Sequence, residues 1–190
     1  MRFDKAAVAR ALAEYSFSPD NQRFLRYWLS LWTDDGVALA AAPDAAEARS
    51  ISRNCITFVL GEDGGVRLGR VGEAIAIALG HAALDADILA MARPEQRDVR
   101  LDRFTRTASG TLFRYRRRAV RPDGRAVLLE EIAAPLAGPS AAGARQTVTH
   151  IDISVLRPAG RVRVTPELFE TVELADPLLD LADFRLPSAP

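Results

Sequence analysis

The stretch from Thr111 to Leu156 constrains the fold most, because its side chains alternate with a period of two over successive segments. In the first segment, Thr111 to Val120, apolar and basic side chains fall on opposite faces, as in a half-buried strand. The apolar face holds Phe113, Tyr115 and Ala119, and the basic face holds Arg114, Arg116 and Arg118. The next residues, Arg121 to Arg125, contain Pro-Asp-Gly, which is typical of a hairpin turn.

The remainder of this stretch predicts two further antiparallel strands. The second strand covers Val127 to Leu136, and a loop of small residues leads from it to the third. In the third strand, Thr147 to Val155, β-branched residues alternate with positions that include His150. We expect His150 to face a covering helix or solvent.

A shorter pair of strands precedes these three. The apolar runs Ile56 to Leu60 and Val66 to Val71 are separated by a glycine-rich turn, which predicts a hairpin. Helices are then expected from Glu73 to Leu79 and from Pro94 to Gly110, with proline at one start and glycine at one stop.

Both ends of the chain carry helix signals. Asp4 can cap a first helix that runs to about Tyr15, and Ser18-Pro19 starts a second helix that Gly36 should end. The apolar face of the second helix holds Phe24, Tyr27, Trp28, Leu31 and Trp32. Near the C-terminus, Thr165-Pro166 and Asp176-Pro177 each predict the start of a helix.

The composition is that of an ordinary globular protein. The 190 residues are 48% apolar and 26% charged, with a formal net charge of zero. Zero net charge argues against nucleic acid and acidic membranes as partners. Cys55 is the single cysteine, so no disulfide can form within the chain. Charged residues interrupt the regions where a signal peptide or a membrane span would lie, so we expect a cytoplasmic protein.

Local motifs carry a resemblance to a known family. They are Leu25-Arg26-Tyr27-Trp28-Leu29-Ser30-Leu31 on the second helix, Arg70-Val71-Gly72 followed by Ala74-Ile75 and Gly80, and a strand ending in Pro135-Leu136. In their order and spacing, from Phe24 to Leu156, they resemble a bacterial PAS-like family. After Gly80 the chain departs from the family, because His81-Ala82-Ala83-Leu84-Asp85 stands where an acidic turn is common.

The resemblance implies an α+β fold: a five-stranded antiparallel sheet with short helices on one face and a cavity between them. We expect an N-terminal helical segment at 1–36 with a helix at 20–34, a PAS-like domain at 37–157, and a helical C-terminal extension at 158–190. Four polar side chains come from segments expected to border the cavity, and they are the predicted ligand-binding residues. They are Arg70, His81, Arg106 and Tyr115.

The function that the resemblance implies is sensory or regulatory and not enzymatic. The domain would bind a small molecule and act through a homodimer or a signalling partner protein, with no output segment of its own. Two alternatives stay open. One is a small isomerase or cyclase on a cone-shaped α+β scaffold, with His81 or Asp102 as its base. The other is a ligand-free dimerisation adaptor.

No cofactor or metal is expected. Asn54-Cys55 is similar to the pair found in flavin-binding light sensors, but it precedes the first strand of the hairpin instead of following the second. The helix from Pro94 to Gly110 carries no histidine that could ligate haem. Two histidines and one cysteine lack metal-ligand spacing. We therefore expect a colourless protein, with Cys55 in a structural role.

Arginines are concentrated on the predicted hairpin, six of them between Arg114 and Arg125. Glu130 and Glu131 lie roughly opposite on the second strand, where they should point to different faces. We interpret this pattern as cross-strand ion pairs on a solvated face, with an anion site as the alternative.

Overall fold

The computed structural model describes residues 3–33, 36–37, 46–79, 87–90, 92–120, 126–136, 145–154 and 172–184. Its helices are α1 (Lys5–Ala13), α2 (Pro19–Ser30), α3 (Ala46–Ser52), α4 (Glu73–Leu79) and α5 (Pro94–Ser109). Its strands are β1 (Trp32–Thr33), β2 (Gly36–Val37), β3 (Cys55–Leu60), β4 (Val66–Val71), β5 (Thr111–Val120), β6 (Ala126–Leu136), β7 (Arg145–Ile151) and β8 (Val172–Asp180). The fold is α+β, as predicted.

An open antiparallel sheet of six strands forms the middle layer, in the order β4-β3-β7-β6-β5-β8, while β1 and β2 pair separately. The five predicted strands are all present in this sheet. The predicted count of five is wrong, because β8 adds a sixth strand beside β5.

The sixth strand corrects the expectation of a helical C-terminal extension, at least for residues 172–180. Asp176-Pro177 lies inside β8 and does not start a helix. Proline lacks the N–H that a central strand needs, but it is tolerated on an edge strand or at a bulge. Pro177 has both conditions, because β8 is an edge and its register with β5 shifts between Leu112 and Phe113. The other expected helix start, Thr165-Pro166, lies outside the described residues.

The N-terminal helices begin where their caps predict. The Asp4 carboxylate accepts a hydrogen bond from the Ala7 N–H at 2.9 Å, and the Ser18 hydroxyl accepts one from the Asn21 N–H at 3.3 Å. The second helix stops earlier than predicted, at Ser30 instead of near Gly36. The following residues instead pair as β1 and β2, so Trp32 reaches the core from a strand.

Helices α4 and α5 follow the predicted bounds. Gly72 links β4 to α4 at a point where a Cβ atom would lie 2.3 Å from the Ser52 carbonyl oxygen, so only glycine fits. At its C-terminal end, α5 stops at Gly110. The φ of Gly110 is 127°, a backbone conformation that favours glycine. These two glycines set the directions in which the chain leaves β4 and enters β5.

Helices cover both faces of the sheet, with the N-terminal helices on one face and α4 and α5 on the other. On the first face, α1 and α2 enclose a core that includes Trp28, Leu112, Ile132 and Val148. On the second face, α4 and α5 lie over a core that includes Phe58 and Ile75. Within the described part of the chain, no helix has the length and hydropathy needed to cross a bilayer.

Candidate functional site

A small cavity lies between α5 and the second face of the sheet, and we call it the α5 cavity. Its volume is about 60 Å³. The Phe58 and Phe104 rings lie 5.0 Å apart in its wall. The apolar part of the wall is formed by Ile56, Phe58, Ile88, Phe104, Ala133 and Ile151. The rest of the wall is polar or charged, and it comes from α5 and from the adjoining strands β5, β6 and β7.

Tyr115 of β5 brings a buried hydroxyl to this cavity, and its ring is 8% exposed. Burial raises the pKa of Tyr115 to about 12, against the smaller opposing effects of the Arg103 and Arg117 charges. Thr107 of α5 is 1% exposed and donates from its hydroxyl to the Arg103 carbonyl at 2.9 Å. The tyrosine is therefore a neutral hydrogen-bonding group at physiological pH.

A buried ion pair forms one side of the cavity. The Arg117 Nε lies 2.7 Å from the Glu131 Oε1, and the two side chains are 13% and 5% exposed. The guanidinium carbon also lies 5.7 Å from the centre of the Tyr115 ring. Because each charge neutralises the other, the pair leaves the cavity without a net charge from these two residues.

Two further polar groups at the cavity lack partners. Thr147 is 2% exposed, and its hydroxyl makes no hydrogen bond to any group in the described part of the chain. Arg103 is partly buried, and within the same residues its guanidinium makes no hydrogen bond or ion pair. A buried hydroxyl without a partner costs about 1–3 kcal/mol. The α5 cavity is therefore where a bound molecule could satisfy unpaired groups.

Of the four predicted ligand-binding residues, the structure places only Tyr115 at the α5 cavity. Arg106 is exposed on α5, with its guanidinium carbon 5.0 Å from the Phe113 ring centre. Arg70 lies on the opposite face of the sheet. His81 lies outside the described residues. Neither Arg70 nor Arg106 lines the α5 cavity, and their roles in ligand binding stay predictions.

A β-bulge accounts for the position of Arg70. Phe58 pairs with Leu68, and a regular ladder would then pair Ile56 with Arg70 on the α5 face. The register instead shifts, so that Ile56 pairs with Val71. The bulge turns Arg70 to the other face, where its backbone N–H donates to the Thr57 hydroxyl at 2.6 Å.

The arginine-rich hairpin is less solvated than predicted. Arg114 is 13% exposed, lies 3.1 Å from Asp176 of β8, and has its guanidinium carbon 6.0 Å from the Phe17 ring centre. The added strand β8 and the segment before α2 cover a position that was expected to face water. The expected cross-strand ion pair forms between Arg117 and Glu131, although the two residues are diagonal neighbours on β5 and β6 and do not lie directly opposite each other.

Sequence reasoning missed Arg103, Arg117, Glu131 and Thr147 as residues of this site. A signal existed for Arg117, because the period of two places it on the same face as Tyr115. A signal also existed for Thr147, which shares a face with Ile151. No sequence signal shows that the polar atoms of Arg103 and Thr147 lack partners within the described residues, because that depends on the packing of α5.

The opposite face holds a buried polar network between α2 and the sheet. His150 is 1% exposed, donates from Nδ1 to the Asn21 side-chain oxygen at 2.6 Å, and stacks on Phe24. The Asn21 amide donates in turn to the Glu130 carboxylate at 2.9 Å. Burial lowers the pKa of His150 to about 4, although the nearby Asp152 opposes this. His150 thus faces a helix, one of the two predicted positions.

Cys55 lies on that same face, where its thiol donates to the Ile51 carbonyl at 3.3 Å. Burial raises the pKa of the thiol to about 12, and the Arg70 charge opposes this only weakly. Such a thiol stays protonated and is a poor nucleophile. Among the described residues, no group of three or more His, Cys, Asp or Glu side chains could hold a metal ion.

The chain was compared with protein-family models and with curated proteins, and neither comparison gives a match.

Proposed function

We propose that this chain is a PAS-like sensory or regulatory domain that holds a small molecule in the α5 cavity. The order of elements supports the proposal: the hairpin β3–β4, then the helices α4 and α5, then β5, β6 and β7 in the same antiparallel sheet. Helix α5 covers one face of that sheet and leaves the cavity between them.

The observation that carries a binding role is the pair of unpartnered groups, Arg103 and the Thr147 hydroxyl, at one cavity. Buried polar groups in folded proteins almost always have partners. An anionic oxygen would accept from Arg103, and a second oxygen could hydrogen-bond with Thr147. A volume of about 60 Å³ restricts the buried part of the ligand to a few non-hydrogen atoms. The proposed ligand is therefore a small oxyanion or carboxylate.

Thermal-shift and calorimetric titrations with acetate, pyruvate, nitrate and phosphate test this proposal. At least one of these anions should raise the unfolding temperature of the native chain. Arg103→Gln and Thr147→Val should each weaken that binding, by about tenfold for the charged contact.

Arg106→Gln is the matched control, because Arg106 lies one turn further along α5 and is exposed outside the cavity. It should leave anion binding unchanged. If none of the four anions binds, or if Arg106→Gln weakens binding as much as Arg103→Gln, the ligand-binding proposal fails. The ligand-free adaptor would then be preferred.

Signal output is proposed to occur through a homodimer or a partner protein. Among the described residues, three large apolar side chains are exposed and offer contact points: Ile77 at 58%, Val99 at 49% and Leu128 at 49%. Sedimentation at high micromolar concentration should give a dimeric mass, and a monomeric mass would leave a partner protein as the output. The enzyme alternative stays a prediction: of its two candidate bases, Asp102 is exposed on α5 and His81 lies outside the described residues.

A further inference from the structure

A second cavity lies on the other face of the sheet, between α2, α3 and strands β3, β4, β6 and β7, and we call it the α2 cavity. Its volume is about 280 Å³, several times that of the α5 cavity. Ligand pockets in proteins typically measure about 300–1,000 Å³, so the α2 cavity could hold a small organic molecule.

The deep wall of the α2 cavity is apolar. Trp28 is 1% exposed and Val148 is 3% exposed, and Phe24, Ile51 and Leu136 complete the buried lining. The Trp28 indole N–H donates to the Pro135 carbonyl at 3.0 Å, so this ring presents only its carbon surface. The wall would therefore bind an apolar body and would supply no hydrogen bond from Trp28.

Most polar groups along the wall are already used within the protein. The Cys55 thiol donates to Ile51, and the Thr57 hydroxyl accepts from the Arg70 N–H. Two guanidinium groups differ from them. Arg49 and Arg70 both line the cavity, both are exposed, and neither side chain makes a hydrogen bond or ion pair within the described residues.

The charges that the described residues bring to this cavity all have one sign. Among these residues, the lining contains Arg49 and Arg70 but no aspartate or glutamate. Because both arginines are exposed while Trp28 and Ile51 are buried, the positive charge lies at the solvent end and the apolar wall lies deeper. This arrangement matches a molecule with an anionic head and an apolar tail.

We propose that the α2 cavity is a second binding site, which takes a small amphipathic carboxylate. The acid group meets Arg70 and Arg49, and the apolar part lies against Trp28. This site is separated from the α5 cavity by the sheet and does not depend on the function proposed for that cavity.

Octanoate is the probe, with 1-octanol and octylammonium as neutral and cationic counterparts of the same chain length. Trp28 lies in the wall, so binding should change the intrinsic fluorescence of the native chain. Octanoate should bind more tightly than octanol, and octylammonium should bind most weakly. Arg70→Gln should weaken octanoate binding by roughly tenfold and leave octanol binding unchanged.

Three further variants complete the test. Arg67→Gln, on the same strand but outside the cavity, should leave octanoate binding unchanged. Ala48→Leu adds volume at a buried lining position and should weaken octanoate and octanol alike. Arg103→Gln, at the α5 cavity, should have no effect.

The proposal is overturned if octanoate causes no fluorescence change or binds no tighter than octanol. It is also overturned if Arg70→Gln and Arg49→Gln together leave its affinity unchanged. Loss of octanoate binding in Arg103→Gln would assign the probe to the α5 cavity and would equally overturn it.

Discussion

Two buried polar sites on opposite faces of the sheet differ in how completely they are hydrogen-bonded. On the α2 face, the network of Asn21, Glu130 and His150 is connected by hydrogen bonds of 2.6 and 2.9 Å. On the α5 face, Thr147 is as well buried, but its hydroxyl has no partner in the described part of the chain. These two sites thus differ in whether the fold itself satisfies their polar atoms. The α2 face is not satisfied throughout, because the buried Trp32 indole nitrogen also has no partner in the described part of the chain.

This difference distinguishes a network that positions a helix from polar groups that could bind a ligand. The Asn21 network joins the start of α2 to the middle of β6 and the end of β7, because the Ser18 N–H also donates to Glu130 at 3.0 Å. A fully hydrogen-bonded network of this kind holds α2 in one position relative to β6 and β7. The unpartnered groups under α5 fix nothing within the described fold. Their desolvation is a cost that a ligand could offset.

The largest expected effect tests whether the α2 face is a rigid core. Trp28→Ala should lower the free energy of unfolding by about 3–5 kcal/mol, because it removes a buried ring and leaves a cavity. It also removes the hydrogen bond to Pro135 and the edge contact with the Trp32 ring at 4.7 Å. The denaturant midpoint at a constant slope measures the loss.

Phe104→Ala is the matched change on the α5 face. Phe104 is only partly buried, so its loss should cost roughly 1–2 kcal/mol. Equal losses for the two variants would contradict the view that α2 is the more firmly packed helix.

The second effect concerns the ion pair under α5. Glu131→Leu should destabilise the fold by about 3 kcal/mol, because it leaves the Arg117 guanidinium buried beside an apolar side chain. Adding Arg117→Met should restore most of that loss. Urea unfolding of the two single variants and the double variant gives the coupling energy. A double variant as unstable as the sum of the singles would mean that the two charges do not interact.

The elements that sequence predicted best are those with local signals at both ends. Pro94 starts α5 and Gly110 ends it, and the alternation from Thr111 predicts β5 without tertiary information. Asp176-Pro177 misled the prediction, because the same dipeptide suits a helix start and a bulged edge strand. Only the presence of β5 as a pairing partner distinguishes the edge strand from the helix start.

The candidate site was less predictable for the same reason. The alternation predicted that Tyr115 lies on an apolar face, and that face borders the α5 cavity. Arg70 lies on the other face because a bulge between β3 and β4 reverses the face of one residue, and bulges have no reliable sequence signature. The lack of a partner for Arg103 and Thr147 depends on long-range packing.

The third effect uses His150 to test the network on the α2 face. Its pKa is lowered from 6.5 to about 4 in the fold, so between these values the unfolded chain binds a proton that the folded chain does not. The contribution of His150 to the free energy of unfolding is therefore fully present above pH 6.5. It falls as the pH drops towards 4, by at most about 1.4 kcal/mol per pH unit. Among the described residues, the charged groups near the ring are Arg23 on α2, Glu130 on β6 and Asp152 just after β7.

His150→Asn should be less stable at neutral pH but should lack this part of the pH dependence. Chemical unfolding at several pH values checks both variants. Asp152, whose pKa is also lowered, loses its contribution only below its ordinary value of 3.8, so the two windows are distinct. A parent protein whose stability is constant between pH 6.5 and 4.5 would contradict the burial of a neutral His150.

The smallest effect has the opposite sign and tests the α5 face directly. Thr147→Val replaces an unpartnered buried hydroxyl by a methyl group, so it should raise the free energy of unfolding by about 0.5–1 kcal/mol. Thr149→Val is the comparison, since Thr149 is 7% exposed on the same strand and its hydroxyl is not among the unpartnered groups. Thr149→Val should leave the free energy of unfolding unchanged or lower it. A clear loss of stability in Thr147→Val would mean that this hydroxyl has a partner in the folded protein without ligand. The contrast between the satisfied network at Asn21 and the unsatisfied hydroxyl of Thr147 would then disappear, and with it the main reason for placing a ligand under α5.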